Sequence, residues 1–160
     1  MKNILFVCTG NTCRSPLAVG IAKKLVSQND YDVSSAGSAA ADGAPASPLA
    51  VEVASAKAID LTDHQSRLLS RTLVRDADLI VAMASGHRDT VGVIEPSALA
   101  YTYLLSDFCE DVEGDIVDPI GMGKEVYEAS FSVVVKCVEA MQKKIETFDG
   151  WKTVDSEREG

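Results

Sequence analysis

Residues 4–15 read Ile4-Leu5-Phe6-Val7-Cys8-Thr9-Gly10-Asn11-Thr12-Cys13-Arg14-Ser15, and Pro16 follows. The apolar run at the start predicts a short buried strand, which Gly10 ends. We expect a helix to begin near Ser15 and Pro16, because serine suits an N-cap and a proline at the first helical position loses no needed N–H. The stretch therefore predicts a strand, a tight loop and a helix in direct succession.

The remainder of the chain repeats this alternation of apolar runs and amphipathic segments. The first helix has an apolar face at helical spacing, with Leu17, Ile21 and Leu25, and ends near Asn29. The later predicted elements are a strand at 31–35, a loop at 37–48, a helix at 49–58, strands at 77–83 and 98–103, an exposed loop at 110–118 and a helix at 124–148. The last helix is predicted to turn one apolar face toward the sheet. The residues of this face are Val126, Val133, Cys137, Met141, Ile145 and Phe148.

Strands that alternate with helices predict an α/β fold with a parallel sheet and right-handed crossovers. We expect a three-layer, doubly wound arrangement with helices on both faces of the sheet. The active site is expected beyond the carboxyl ends of the strands. Because no internal repeat or linker divides the chain, residues 1–150 are predicted to form one domain, followed by a polar C-terminal tail at 151–160.

Composition and charge restrict the classes of partner. The chain has 160 residues and a formal net charge of −9, which argues against nucleic acid or an anionic membrane surface as a partner. Its apolar stretches are shorter than the roughly 20 residues that a membrane span needs. The four cysteines do not suggest a disulfide framework in a chain of this length. We therefore expect a cytoplasmic protein in a reducing compartment.

The loop between the first strand and the first helix holds the residues that suggest chemistry. A helix N-terminus offers unpaired N–H groups and a partial positive charge, and a tight loop of N–H groups can form an anion-binding nest. Arg14 adds a planar guanidinium that can grip two phosphoryl oxygens. Cys8 lies in the same positive field, which favours its thiolate. A thiolate that faces a bound phosphate suits nucleophilic displacement at phosphorus through a phosphocysteine intermediate.

This Cys-x5-Arg-Ser spacing resembles the signature of the low-molecular-weight protein tyrosine phosphatase family, and the resemblance extends over about residues 3–148. Further matching segments are Ser35-Ala36-Gly37-Ser38, Asp63-His64-Gln65-Ser66-Arg67, Ala77-Asp78-Leu79-Ile80-Val81-Ala82-Met83 and Val117-Asp118-Pro119. The resemblance implies a sheet of four parallel strands, phosphorylated protein substrates, and no metal or other cofactor.

The same resemblance implies a role for each matching residue. Cys8 would be the nucleophile, Arg14 would clamp the phosphate, and Asp118 would be the general acid and then the base that activates water. Ser15 would hydrogen-bond the thiolate and help to expel it. His87 has no such counterpart and is predicted to be a surface residue. The other residues implied are Thr9, Gly10, Asn11, Thr12, Cys13 and Ser15 for phosphate binding, with Ser38 and His64 supporting the loop from behind.

One position of the loop bears on the leaving group. Thr12 stands where phosphotyrosine-specific members commonly have a larger aliphatic residue, and the loop resembles that of the protein arginine phosphatase branch. A hydroxyl beside the phosphate favours a polar guanidinium, whose N–H groups Asp118 could accept before protonating the leaving nitrogen. Ile120 offers no stacking surface for a phenyl ring, although an aromatic residue is expected after Asp-Pro, so Tyr127 is a candidate wall. The sequence favours phosphoarginine, with phosphotyrosine as the alternative.

The other cysteines and one acidic segment each have a structural interpretation. Cys13 and the acidic segment also have a functional one. Cys13 is either a small buried residue or the partner of Cys8 in a reversible disulfide that protects the nucleophile. Cys109 and Cys137 are predicted to be structural. Residues 107–118 include six acids and no Lys or Arg. They form either a solvated loop or a patch that attracts basic phosphopeptides.

Two other classes of protein share parts of this pattern. An arsenate reductase needs relaying cysteines in a mobile segment after the third strand, and residues 76–108 contain none. A non-hydrolytic phosphocysteine carrier of sugar transport has no need of Arg14 or Asp118. We therefore expect a cysteine-dependent phosphoprotein phosphatase. The sequence does not determine its oligomeric state or its physiological substrates.

Overall fold

The structure is a computed structural model that describes residues 1–153. Its strands form one parallel sheet in the order β2-β1-β3-β4, which confirms the predicted α/β fold with a four-stranded parallel sheet. The strands are β1 (Lys2–Cys8), β2 (Tyr31–Gly37), β3 (Leu79–Ala82) and β4 (Thr102–Leu104).

Helices connect these strands and cover the sheet. They are α1 (Arg14–Leu25), α2 (Pro48–Ala56), α3 (Arg71–Asp76), α4 (Ser85–Ile94) and α5 (Lys124–Lys144). Short 3-10 helices lie at Pro96–Tyr101, Leu105–Phe108 and Ile145–Thr147. Two of the helices, α3 and α4, were not assigned from the sequence, since neither has a long apolar period.

The central strand β1 shows why the sheet is covered on both faces. Its side chains alternate, so that Ile4 and Phe6 enter one apolar core with residues of α1, α2 and α5. Leu5 and Val7 enter a second core with residues of α3 and α4. A parallel strand that is buried on both faces reads as a continuous apolar run, which is what residues 4–7 show.

The predicted bounds of two elements, and the predicted sheet-facing side of the last helix, are wrong. The fourth strand was expected at 98–103, but Pro96 starts a 3-10 helix that extends to Tyr101, and the strand is confined to Thr102–Leu104. The last α-helix ends at Lys144, and its deepest apolar contacts come from Phe131, Val134 and Val138. Val126 and Val133 are only partly buried, since they face a surface groove.

The start of α1 also differs from the prediction. Cys13 is the N-cap and makes no side-chain capping bond, and the helix begins at Arg14. Ser15 therefore lies inside the first turn. Its hydroxyl contacts Cys8 and Asn11 in the site described below. A serine that serves a neighbouring thiol is not available to cap the backbone.

The C-terminal part of the described chain folds back on the sheet. Trp151 stacks on Tyr31 with ring centroids 6.0 Å apart, and the Lys2 ammonium lies 4.2 Å from the centre of its ring. The N–H of Lys152 donates to the carbonyl of Asp78 at 2.8 Å. The boundary after residue 150 stays a prediction, because 154–160 lie outside the described residues. Within 1–153, no helix has the length and apolar character to span a membrane.

Candidate active site

The residues singled out by the sequence meet at the carboxyl end of β1. A pocket of about 110 Å³ opens there, lined by loop residues that include Cys8 and Thr12, with Arg14, Asp118 and Ile120. The loop joins β1 to α1, so the pocket lies directly above the first turn of that helix. This is the edge of the sheet at which parallel α/β folds place their ligands.

Four carbonyl groups of the loop point away from the pocket, because they accept hydrogen bonds from outside the loop. These bonds run from Ser38 N to Cys8 O (2.8 Å), Ala39 N to Thr9 O (2.9 Å), His64 Nε2 to Asn11 O (2.6 Å) and Ser47 N to Thr12 O (3.0 Å). In a trans peptide, the following N–H points opposite to the carbonyl. The next N–H groups therefore face the inside of the loop, which is the arrangement that an anion-binding nest requires.

Asn11 supports the loop from its buried centre. Its backbone adopts the left-handed conformation with φ of 56°, and its side chain is fully buried. Its amide nitrogen donates to Ser15 Oγ (2.8 Å) and to Ser35 Oγ (2.9 Å), and its amide oxygen accepts the N–H of Arg67 (3.0 Å). Asparagine tolerates this conformation better than most residues, and these bonds hold it there.

The two predicted supporting residues reach the loop in different ways. His64 lies in a loop and donates through its ring to the carbonyl of Asn11. Ser38 contributes its backbone N–H, whereas the hydroxyl from β2 that contacts the loop is that of Ser35. Side chains alternate along the end of β2, so the residue three positions earlier points toward the loop interior.

Cys8 and Ser15 form the centre of the site. The Cys8 sulfur lies 2.8 Å from the Ser15 hydroxyl oxygen. That oxygen already accepts a hydrogen bond from the amide of Asn11, so its own proton is available to the sulfur. Ser15 is therefore oriented to donate to the Cys8 sulfur, which stabilises negative charge on that atom.

Arg14 is almost wholly buried and bridges two parts of the chain. Its Nη1 donates to the carbonyl of Ile116 at 2.8 Å, and its Nη2 lies 3.4 Å from both Thr9 Oγ1 and Asp118 Oδ2. Its Nε is buried and has no hydrogen-bond partner among residues 1–153. A buried donor without a partner costs about 1–3 kcal/mol, which an anion in the pocket would recover.

Asp118 stands at the mouth of the pocket, with its side chain 38% exposed. Its Oδ1 accepts the N–H of Ile120 at 3.1 Å, and its Oδ2 faces Arg14. One oxygen is thus fixed by the local backbone while the other is directed toward the pocket. A carboxyl group held in this way can exchange protons with a group that is bound below it.

His87 was predicted to lie on the surface, and that prediction is wrong. Its side chain is 6% exposed, and its Nδ1 accepts the N–H of Ala84 at 3.0 Å. The proton therefore sits on Nε2, which donates to Thr9 Oγ1 at 2.8 Å. Burial, together with the positive charge of Arg14, lowers the pKa of His87 to about 4.

Thr12 and Ile120 line the pocket, but Tyr127 does not. The Tyr127 side chain is buried beneath the loop, with its hydroxyl 3.1 Å from Ser47 Oγ and 3.5 Å from Cys13 Sγ. Tyr127 thus does not replace the missing aromatic wall, because α5 directs it to the core side of the loop. The Cys13 sulfur lies among these hydroxyls, whereas the Cys8 sulfur contacts Ser15, and both thiols are free.

The sequence matches the low molecular weight phosphotyrosine protein phosphatase family over residues 3–153. The chain belongs to this family. It is thus a low molecular weight phosphatase, a cysteine-based enzyme that acts on phosphorylated proteins.

Individual members of the low molecular weight phosphatase family differ in the substrate that they are named for. A protein-arginine-phosphatase of Geobacillus stearothermophilus is 38% identical over 90% of this chain and 96% of its own length. A low molecular weight protein-tyrosine-phosphatase of Salmonella typhi is 35% identical over 83% of this chain and 87% of its own. The solved structure of an arginine phosphatase from Geobacillus stearothermophilus superposes with a TM-score of 0.84, at 37% identity, covering 92% of this chain and 94% of that one.

The structure adds residues of this phosphatase that the sequence did not single out. His87, Ser35 and Ile116 contact Thr9, Asn11 and Arg14 respectively. Position in the chain offered one signal for His87, because it follows the carboxyl end of β3 by five residues. No signal identified Ile116, since it contributes only a backbone carbonyl, which every residue has.

Proposed function

We propose that this enzyme hydrolyses phosphoarginine in proteins through a phosphocysteine intermediate. The observation that carries the proposal is the composition of the pocket, in which the hydroxyl-bearing residues Thr9 and Thr12 and the carboxylate-bearing Asp118 lie beside Cys8 and Arg14. The similarity to a protein-arginine-phosphatase over 90% of the chain supports the same assignment.

The phosphoryl group would occupy the interior of the loop. Its oxygens would accept bonds from the inward N–H groups and from the Arg14 guanidinium, including the buried Nε. Both act on charge that grows on the equatorial oxygens as the bond to the leaving group lengthens. Fixed donors of this kind need no reorganisation, which is why they stabilise the transition state more than the ground state.

The first step would be attack of the Cys8 thiolate on phosphorus. A sulfur–phosphorus bond forms as the nitrogen–phosphorus bond of phosphoarginine breaks, and Asp118 gives its proton to the leaving nitrogen. This step needs Asp118 in its protonated form. Arginine leaves as a guanidinium, because the group already carries a positive charge and the proton from Asp118 replaces phosphorus on the nitrogen.

The second step would reverse these roles. Asp118, now a carboxylate, takes a proton from a water molecule, whose oxygen attacks phosphorus as the sulfur–phosphorus bond breaks. Cys8 leaves as a thiolate, and the Ser15 hydroxyl at 2.8 Å stabilises the charge. Inorganic phosphate is released and the enzyme returns to its starting state.

The leaving group is the point at which the two candidate substrates differ. A guanidinium has N–H donors that need acceptors, and the pocket offers Thr12 and Asp118. A phenyl ring needs an apolar wall, and Ile120 is the apolar side chain at the rim, 52% exposed. Phosphotyrosine is the second candidate, because a protein-tyrosine-phosphatase is also 35% identical to this chain.

The test is kcat/KM for phosphoarginine and phosphotyrosine peptides of matched sequence, with the Cys8→Ser variant as the blank. We expect a preference for phosphoarginine of at least about 100-fold, the discrimination that a site with matched polar groups provides. A preference for phosphotyrosine would reject the proposed substrate and leave the phosphatase assignment in place.

The variant Thr12→Ile tests the residue that is proposed to select the substrate. Loss of the hydroxyl and gain of apolar volume should lower kcat/KM for phosphoarginine and raise it for phosphotyrosine. Thr12→Ser is the matched control, because it keeps the hydroxyl and should retain the arginine preference. An unchanged ratio in Thr12→Ile would show that this position is not the selectivity filter.

A further inference from the structure

A second cavity lies beside the catalytic acid and is not used by the chemistry described above. It has a volume of about 390 Å³ and lies between residues 112–117 and the exposed face of α5. We call it the α5 groove. Its apolar lining comprises Val112, Ile116, Val117, Val126, Ala129 and Val133.

The apolar lining is accessible from solvent. Val117 is 60% exposed, Ala129 is exposed, and Val126 and Val133 are only partly buried, although the last two were expected to face the sheet. Exposed apolar residues continue past the acid to Ile120 and Met122, at 52% and 54%. A group of exposed apolar residues at the edge of an active site is typical of an interaction surface.

Acidic side chains border this groove. Asp115 and Glu125 line it, and Glu110 and Glu113 lie on the segment that leads into it. The neighbouring cations are engaged elsewhere, since Lys124 pairs with Glu52 at 3.0 Å and Lys136 with Asp111 at 3.0 Å. The groove therefore combines an apolar floor with negative charge around it.

Residues that line the groove are hydrogen-bonded to the segment and the arginine of the phosphate site. Ile116 lines the groove, and its carbonyl accepts the Arg14 hydrogen bond at 2.8 Å. Ser130 lines the groove as well and donates to the carbonyl of Val117, the residue before Asp118. A chain seated in the groove would lie against the segment that positions both Arg14 and Asp118.

We propose that the α5 groove docks the protein substrate by a segment in which apolar side chains are flanked by lysine or arginine. The apolar side chains would occupy the floor, and the cations would meet Asp115 and Glu125. The inference rests on the proposed function only in that the substrate is a phosphorylated protein, and it holds for either phosphorylated residue. Docking beside the pocket raises the local concentration of the phosphorylated residue at Cys8.

The test compares peptides that carry one phosphorylated residue and differ in a second segment, joined by a flexible Gly-Ser linker. The segments are Lys-Leu-Val-Arg, Lys-Ser-Ser-Arg and Glu-Leu-Val-Glu, and p-nitrophenyl phosphate reports the chemistry without docking. The first peptide should show a KM about tenfold lower than the other two, with similar kcat. Equal KM values for the three peptides would overturn the proposal.

The variant Ala129→Arg tests the groove itself, because the exposed position accepts a long cation that fills the floor. Ser132→Arg is the matched control, since it lies on the same helix, is exposed and is not part of the groove. Ala129→Arg should remove the tenfold advantage of the Lys-Leu-Val-Arg peptide, while Ser132→Arg should keep it. Neither should change kcat/KM for p-nitrophenyl phosphate by more than about twofold.

Two outcomes would overturn the proposal while leaving the phosphatase assignment intact. If both variants weaken the peptide equally, the effect is one of net charge and not of the groove. If the wild type is dimeric by sedimentation and Ala129→Arg is monomeric, a second copy of the chain occupies the groove. Failure of the proposed substrate would appear separately, as a preference for phosphotyrosine in the matched phosphoarginine and phosphotyrosine peptides described above.

Discussion

At the scale of single residues, His87 shows how a buried neutral imidazole can hold part of an anion site. Its Nε2 donates to Thr9 Oγ1, which lies 3.4 Å from the Arg14 Nη2. These two donors occupy the lone pairs of the Thr9 hydroxyl oxygen. The hydroxyl proton is therefore free to point into the pocket, which Thr9 lines. A protonated imidazole would add a positive charge beside Arg14 and remove the acceptor at Nδ1 that binds the N–H of Ala84.

This arrangement predicts a pH-dependent contribution of His87 to stability. Its pKa of about 4 in the folded state lies below the ordinary value of 6.5, so the unfolded state binds more protons between these two values. The stabilisation is present above pH 6.5 and is lost as the pH falls toward 4. Its full size is about 3 kcal/mol, from the relation between a pKa shift and free energy.

The measurement is urea unfolding of the wild type and of His87→Gln between pH 4 and pH 7. The stability difference between the two should be largest near neutral pH and fall steadily on acidification. Arg88→Gln, an exposed neighbour on the same helix, should track the wild type at every pH. A difference that does not vary with pH would show that the imidazole is not held neutral.

At the scale of elements, the end of β2 positions the phosphate loop. A Cβ built on Gly37 would lie 2.5 Å from the Thr9 carbonyl oxygen and 2.9 Å from the Asn11 nitrogen. Only a glycine lets the strand approach the loop this closely. The approach in turn allows Ser38 and Ala39 to bind the carbonyls of Cys8 and Thr9, and so turns the following N–H groups inward.

The variant Gly37→Ala should therefore damage both stability and activity. Two of the three close contacts are with backbone atoms of the loop, so the loop itself must shift, at a cost of about 1–3 kcal/mol. We expect kcat/KM for p-nitrophenyl phosphate to fall by at least about tenfold in the folded fraction, because displaced N–H groups no longer match the phosphate.

Gly86→Ala is the matched control for this prediction. A Cβ at Gly86 meets nothing within 4 Å, and the residue lies in the first turn of α4. Alanine there should leave activity unchanged and stability equal or higher by up to about 1 kcal/mol. Thermal unfolding and steady-state rates of the two variants, measured together, would refute the packing argument if Gly37→Ala behaved like Gly86→Ala.

At the scale of the whole molecule, the negative charge is unevenly distributed. Residues 1–80 contain eight basic and eight acidic residues, whereas 81–160 contain seven basic and sixteen acidic ones. Part of this excess lies in 107–118, the segment that ends at the pocket of the candidate active site. Charge near a pocket changes the rate at which charged substrates arrive, and salt screens that effect.

Removing charge from this segment should change the salt dependence of the enzyme. The variant Glu110→Gln, Asp111→Asn and Glu113→Gln should flatten the fall of kcat/KM with added salt for a basic phosphopeptide. Little stability should be lost, because the Asp111 pair with Lys136 is solvent-exposed and such pairs contribute about 0–1 kcal/mol. The measurement is kcat/KM from low to high sodium chloride.

A control with the same change in net charge separates local from global effects. Asp30, Asp32 and Glu146 are exposed and lie near the start of β2, at the opposite end of that strand from the pocket. Neutralising them should leave the salt dependence close to that of the wild type. If the two triple variants behave alike, the segment 107–118 has no special role in attracting substrates.

Much of the fold and of the phosphate loop could be predicted from short stretches of the sequence. The apolar run 4–7, the short polar loop and the following amphipathic helix could be predicted because strand and helix periodicity depend on neighbours in the chain. Cys8 and Arg14 are six residues apart, so their meeting at one helix N-terminus follows from the same local order. The short strand Thr102–Leu104 was displaced in the prediction because three residues show no clear period.

The alternating α/β architecture, the loop and the spacing of its thiol and guanidinium thus follow from local sequence. The distant groups that contact the site depend on the fold: Ile116 contacts Arg14 across 102 positions, and His87 contacts Thr9 across 78. These contacts depend on strand order and helix packing, because a backbone carbonyl or a single histidine has no local sequence pattern that identifies its partner. The α5 groove arose in the same way, where Val126 and Val133 face the chain segment that packs opposite them rather than the sheet.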